Sequence, residues 1–195
     1  METLTIDDAL SFGPCWEDAR ERMENIATAY NQQEWSAVDI LRLPEDVASN
    51  EDKLWLVLRE ELIDAPILHE FACRCAEHAL SRIDNPDPRS VAAIEDKRAW
   101  LSGDITDDQL QSAQDAAYYA VEAASCDAAY WAAYWAADDA AYLYDAKHAA
   151  YWAAYWDAAD AVDNFADDDG VIEQAWQVGM LINMLEEKRE NNNYR

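Results

Sequence analysis

Between Gly103 and Gly170 the chain runs for 66 residues without a glycine or a proline, and within that run it nearly repeats itself. DAAYWAAYWAADDA (127–140) returns as HAAYWAAYWDAADA (148–161), so that Ala128, Tyr130, Trp131, Tyr134 and Trp135 recur 21 positions later as Ala149, Tyr151, Trp152, Tyr155 and Trp156. Rich in alanine and free of both helix-breaking residue types, the segment is built to be helical. One unbroken helix of that length would be roughly 100 Å long, too long for a compact domain, so the sequence predicts that it bends back on itself. The expected breaks are Ser125-Cys126-Asp127, the pair Asp138-Asp139 and the region of Asp145, because aspartate is a poor interior helix residue and a good cap. The beat of alanine pairs and aromatic pairs suits helices that approach closely through alanine while Tyr and Trp fill the spaces between them. The same aromatics on an outward face would make an aromatic and acidic recognition surface, since Tyr and Trp are frequent interface anchors.

Charge narrows the partners. From Leu101 to Glu187 there are 18 acidic residues against Lys147 alone, and the whole chain carries 41 acids, 14 bases and a formal charge of −27. Such a chain repels nucleic acid and anionic membrane, so a basic protein is the expected partner and direct nucleic-acid binding is not expected. Apolar content of 51% and nine Trp give it enough to bury, which excludes a wholly disordered acidic tail. Four glycines and five prolines are too few for a many-turned β chain. The expected class is all-α: an antiparallel helical bundle with a long Ala/Tyr/Trp/Asp-rich repeat hairpin. Residues 1–103 read as an N-terminal helical region and 104–195 as the acidic repeat with a C-terminal helix, the two forming one continuous domain. The acidic METLTIDDAL start and the lack of a long apolar run imply the cytoplasm of a bacterium, or of the host if phage-encoded, and no membrane. Cys15, Cys73, Cys75 and Cys126 have no disulfide-framework spacing and read as reduced thiols, three of them buried.

Along the chain, Thr5 is a helix cap, and Gly13-Pro14 interrupts the segment it opens. A helix is expected from about Trp16 to Tyr30, and WSAVDILRL (35–43) is ambiguous until Pro44 ends it. Ser49 or Asn50 caps a helix carrying Leu54, Trp55, Leu58 and Leu62 to about Asp64. Pro66 suits the first turn of the next, which runs to about Ile83. Asp87 caps a helix that Gly103 closes, and Thr106 with Gln109 forms a capping box. After Gly170 the last helix holds Val171, Ile172, Trp176, Met180, Leu181 and Leu185 on its apolar face and frays at the asparagine run 191–193.

Two clusters invite a metal. His69, Cys73, Cys75 and His78 share one helix, but His69 and Cys73 face opposite to Cys75 and His78, so they cannot close a tetrahedron. Core cysteines with solvent-facing histidines are the expectation. In DNFADDDGVIE (163–173) a calcium-loop register puts Phe165 and Trp176 at the first and twelfth ligand positions, which leaves an acid-rich helix junction. No phosphate loop or nucleophilic triad is visible, so neither an enzyme nor a cofactor is expected. The candidate partner-binding residues are aspartates. Asp127, Asp138, Asp145 and Asp163 would fall on one stripe of a continuous helix, with Asp139, Asp157 and Asp160 beside it.

FACRCAEHAL (71–80), DPRSVAAIEDKRAW (87–100), SGDIT (102–106) and the alanine repeat resemble the Imm-5-like immunity proteins of bacteria and phages over residues 54 to 161. The resemblance implies a helical, non-enzymatic protein that neutralises another protein, and it names no functional residues. With the charge, it leads to an expected acidic inhibitor that blocks a basic, nucleic-acid-binding surface of a bacterial defence or toxin protein, such as a nuclease or DNA-recognition subunit, in the manner of a DNA mimic. An immunity protein that caps a toxin without such mimicry, and a self-associating helical scaffold, are the alternatives.

Overall fold

A computed structural model describes residues 3–14, 18–123, 128–137, 146–164 and 169–193, with side chains over the same residues except 160–164, 169–171 and 192–193. The described chain is all-α apart from one two-stranded ribbon. Strand β1 (Thr3–Leu4) pairs antiparallel with β2 (Trp35–Ser36), Leu4 opposite Trp35. Around it lie α1 (Ile6–Ser11), α2 (Ala19–Tyr30) and α3 (Ala37–Leu41). Thr5 and Ser36 cap α1 and α3 through reciprocal boxes with Asp8 and Asp39, which supply orphan N–H groups with acceptors at each start. The ambiguous 35–43 segment thus divides into a two-residue strand and a five-residue helix.

Helix α4 (Asn50–Val57) starts at its Ser49 cap, as the sequence implies, yet ends seven residues before Asp64. Arg59 supplies the reason. Its guanidinium folds back to donate to the carbonyls of Leu56 at 2.6 Å and Trp55 at 2.7 Å, and it lies 3.7 Å from the centre of the Phe12 ring. The side chain satisfies carbonyls that a further turn would have used. Leu58 and Leu62 remain buried without being helical.

Helix α5 (Ala65–Leu80) carries Pro66 in its first turn, and α6 (Pro88–Ser102) ends on Gly103, which takes the left-handed conformation at φ +82°. The Asp104 N–H then reaches Ala99 O at 2.8 Å, closing the helix end. In α7 (Asp107–Ala123), the Thr106 N–H donates to Gln109 Oε1 at 2.9 Å and the Gln109 N–H to Thr106 Oγ1 at 3.4 Å, the expected box.

The repeat becomes α8 (Ala128–Ala136) and α9 (Ala146–Asn164). Trp131 stacks on Trp156 and Trp135 on Trp152, each at 5.9 Å between ring centres. Numbers rise on one helix as they fall on the other, so the pair is antiparallel. The residues that correspond by the 21-residue repeat exchange places across the seam, which makes the contact a two-fold one within a single chain. Ala129, Ala132, Ala133, Ala149, Ala150 and Ala153 are buried beside Phe71, Ala72, Cys75 and Ala76 of α5 in one apolar cluster, which also takes in Leu4, Leu181 and Leu185. Residues on both sides of position 103 therefore share a core. The proposed break at 125–127 lies outside the described residues, as do Asp138-Asp139 and Asp145. One point of the continuous-helix reading changes with this hairpin. A single stripe along one helix from Asp127 to Asp163 does not exist, because α8 and α9 run in opposite directions.

Helix α10 (Asp169–Asn193) extends through the asparagine run rather than fraying before it. Leu181 and Leu185 face inward as expected, but toward its N-terminus the inward face is one residue removed from the expected one. Ile172 is 65% exposed and Trp176 38%, while Glu173, Gln177, Leu181 and Leu185, spaced by four, are buried. No described helix is long and apolar enough to cross a membrane.

Candidate functional site

The inward turn of Glu173 and Gln177 leads to the largest buried charge cluster described. His78 and Arg82 lie one turn apart on α5 and its C-terminal extension, and both point at α9 and α10. Arg82 donates through Nη1 to Asp157 Oδ1 at 2.9 Å and through Nη2 to Glu173. His78 Nδ1 lies 3.5 Å from Asp157 Oδ1. It lies 2.9 Å from Glu173 Oε1, as a charge contact rather than an aligned hydrogen bond. Gln177 Nε2 donates to Ala154 O at 2.9 Å and to Asp157 Oδ2 at 3.0 Å, and Trp176 stacks on the His78 ring at 3.8 Å.

These contacts fix the charges. The adjoining carboxylates of Asp157, then of Glu173, push the His78 pKa up to about 9, which favours the protonated ring at neutral pH. Burial raises Glu173 above the ordinary carboxylate range, with His78 opposing. Two cations face two anions, and the site is close to neutral. His78, Asp157 and Glu173 could offer three ligand atoms within 4.8 Å of one another. A divalent ion would have to displace the Arg82 guanidinium, which already bridges both carboxylates, so the geometry fits an ion-pair clamp joining three helices.

Asp157, expected on the recognition surface, is therefore corrected: its side chain is 0% exposed and belongs to this clamp. Arg82 and Gln177 supply the partners that let an aspartate face inward. Asp127, Asp138, Asp139 and Asp145 lie outside the described residues. Asp160 and Asp163 fall on α9, with side chains outside the description. The cluster His69, Cys73, Cys75 and His78 forms no metal site. Both cysteines are buried free thiols, Cys73 with its pKa pushed up to about 12 by burial and Cys75 well above its ordinary value. His69 is buried rather than solvent-facing. It packs edge-on to Trp100 at 5.7 Å, and burial, with Lys97 nearby, pushes its pKa down to about 3.

A surface that sequence reasoning did not single out lies on α7. Asp108, Ser112, Asp115, Tyr119 and Glu122 are all exposed, and their alternating spacing of four and three puts them on one face. Tyr119 is 59% exposed between the acids. From it an aromatic ladder crosses three helices. Tyr118 is 6.1 Å from Tyr119 and 6.2 Å from Trp131, Trp131 stacks on Trp156, and Trp156 is 5.4 Å from Tyr155. The sequence signal for this face is the heptad recurrence of acids at 108, 115 and 122, which lies outside the alanine and aromatic repeat. Alanines take the inner face of the hairpin together with the buried Tyr130, while Trp131, Tyr134, Tyr151 and Trp156 are half-buried against the core and Tyr155 is exposed.

Most of the described basic side chains are buried or paired within the chain. Lys53, Arg59 and Lys97 are buried. Arg20, Arg22, Arg42, Arg74, Arg89, Arg98 and Lys188 each pair with a carboxylate of the chain itself, as Arg82 does. No protein-family model matches the chain, and no curated protein or solved structure matches it either.

Proposed function

We propose that this chain is an acidic inhibitor protein that binds and blocks a basic surface, of the kind that holds nucleic acid, on a bacterial defence or toxin protein. The observation that carries the reading is the excess of 41 acids over 14 bases, of which most of the described basic groups are buried or already paired within the chain. With most of the described Arg and Lys buried or already paired, the excess carboxylates project a field of one sign, which steers a cationic partner and repels nucleic acid. Exposed tyrosines at both ends of the aromatic ladder add contact area that water-loving acids alone lack. The match to a nucleic acid is one of sign rather than of register. Acids seven residues apart on α7 are separated by about 10 Å of rise, coarser than a phosphate ladder.

Immobilised protein exposed to bacterial lysate at low salt should retain a basic nuclease or DNA-recognition subunit and release it as salt rises. Retention of a toxin that does not act on nucleic acid would replace mimicry with plain immunity. Recovery of this chain alone would replace both with a scaffold.

A further inference from the structure

Helices α4, α9 and α10 enclose an open groove of about 350 Å³, within the range of roughly 300–1,000 Å³ typical of ligand clefts. Its floor is apolar, from Leu54 and Leu58 on one side and Ala154 and Ala158 on the other. Polar groups stand around it. Glu51 brings a carboxylate, Gln174 an amide, and Tyr151 and Tyr155 phenol rings. Glu51, Gln174 and the Tyr155 hydroxyl have no hydrogen-bond or ion-pair partner among the described residues, and no Lys or Arg lines the groove. Tyr155 is also the exposed end of the aromatic ladder, at 48% exposure.

We infer that this groove is a receptor for an arginine side chain of the basic partner, an inference that rests on the partner reading above. The chemistry selects the occupant. A single unpaired carboxylate with no neighbouring cation attracts positive charge, and tyrosine faces attract it further when it is planar and weakly hydrated. A guanidinium can accept both, donating to Glu51 and to the Gln174 carbonyl while lying against a tyrosine ring. The methylene stem of an arginine then covers Leu54, Leu58 and Ala158, which a compact ion would leave wet. An anion is refused by Glu51.

The test uses the full chain and two acetylated, amidated tripeptides, one with arginine at its centre and one with citrulline, which keeps the shape and removes the charge. Tyr155 lies 5.4 Å from both Trp152 and Trp156, so filling the groove should perturb tryptophan fluorescence. The arginine peptide should bind saturably, and the citrulline peptide about tenfold more weakly or not at all. Glu51→Gln and Tyr155→Ala, both at exposed positions, should each weaken the arginine peptide several-fold. Glu122→Gln, which removes the same charge from α7, should leave it unchanged. Equal binding of the two peptides, or an arginine isotherm indifferent to Glu51→Gln, overturns the groove. The lysate capture separates the two levels. A basic partner captured undiminished by the Glu51 and Tyr155 variants sinks the groove and keeps the inhibitor reading. Saturable, Glu51-dependent arginine binding with no basic protein captured keeps the groove and sinks the inhibitor.

Discussion

Arg82 sits where a cation is hard to replace. Its side chain is 15% exposed and faces Asp157 at 0% and Glu173 at 7%, so both carboxylates depend on it for the return of their lost hydration. Removing one partner of such a cluster leaves charge buried without compensation. Arg82→Ala should therefore destabilise the fold by about 3–5 kcal/mol in urea unfolding. The triple change Arg82→Met, Asp157→Leu and Glu173→Leu should recover much of that loss, because it removes the charges together. Equal damage from both variants would show that the site matters for shape rather than charge. His78 adds a pH dependence whose sign follows from its shift. Its pKa in the fold is about 9 against an ordinary 6.5, so its contribution is complete below about pH 6.5 and is lost as pH rises through 9. Glu173, raised by burial, acts in the same direction over a lower range. The stability difference between the natural chain and His78→Gln should shrink steadily from pH 7 to pH 10. A difference that grew over that interval would mean that the ring is neutral in the fold.

At the scale of elements, the internal two-fold of α8 and α9 explains why a 21-residue repeat of alanine and aromatics is useful. Fully buried Ala133, Ala150 and Ala153 set how close the hairpin lies to its neighbours, and a side chain added there has nowhere to go. Ala150→Leu should cost about 1–3 kcal/mol and disturb the near-ultraviolet dichroism of the stacked tryptophans, whereas Tyr155→Ala should change stability little. A tolerated leucine would point to loose packing of the seam. Gly103→Ala tests the other side of backbone chemistry. No atom lies near the added methyl, yet φ +82° is unfavourable for alanine, so a loss of about 1 kcal/mol should come from conformation alone. Much of this layer is readable in the sequence, because caps and breakers act locally. Ser49, Asp87, Gly103 and Thr106 do what their identities suggest. The failures share a different cause. Arg59 ends α4 by donating to its last carbonyls while lying over the ring of Phe12, which is far away in sequence, and Glu173 and Gln177 displace Ile172 and Trp176 from the inward face where Arg82 and Asp157 await them. Periodicity sorts residues by hydrophobicity and cannot see a polar partner on another helix. For the same reason Asp157 reads as surface. The outward acids of α7 are visible in the sequence but are overshadowed by the repeat.

At the scale of the molecule, a charge of −27 works on folding and on binding in opposite directions. Excess carboxylates repel one another across the surface and lower stability, while the same field draws in a cation. The clamps that hold the helices together are shielded from this balance. Arg82 with Asp157 and Glu173 lies in the interior, where added ions screen weakly, whereas the α7 acids face the solvent. Raising ionic strength from about 0.01 M to 0.15 M shortens the Debye length from about 30 Å to 8 Å. Thermal unfolding of the isolated chain should therefore move to higher temperature over that range, and capture of a basic partner should weaken over the same range. The two slopes have one origin and must carry opposite signs. A melting temperature that falls with salt would mean that exposed ion pairs such as Arg20 with Asp7 outweigh the net repulsion. Capture that is indifferent to salt would place the interface on apolar ground, where exposed Ile172 and Trp176 of α10 would be the residues to change next.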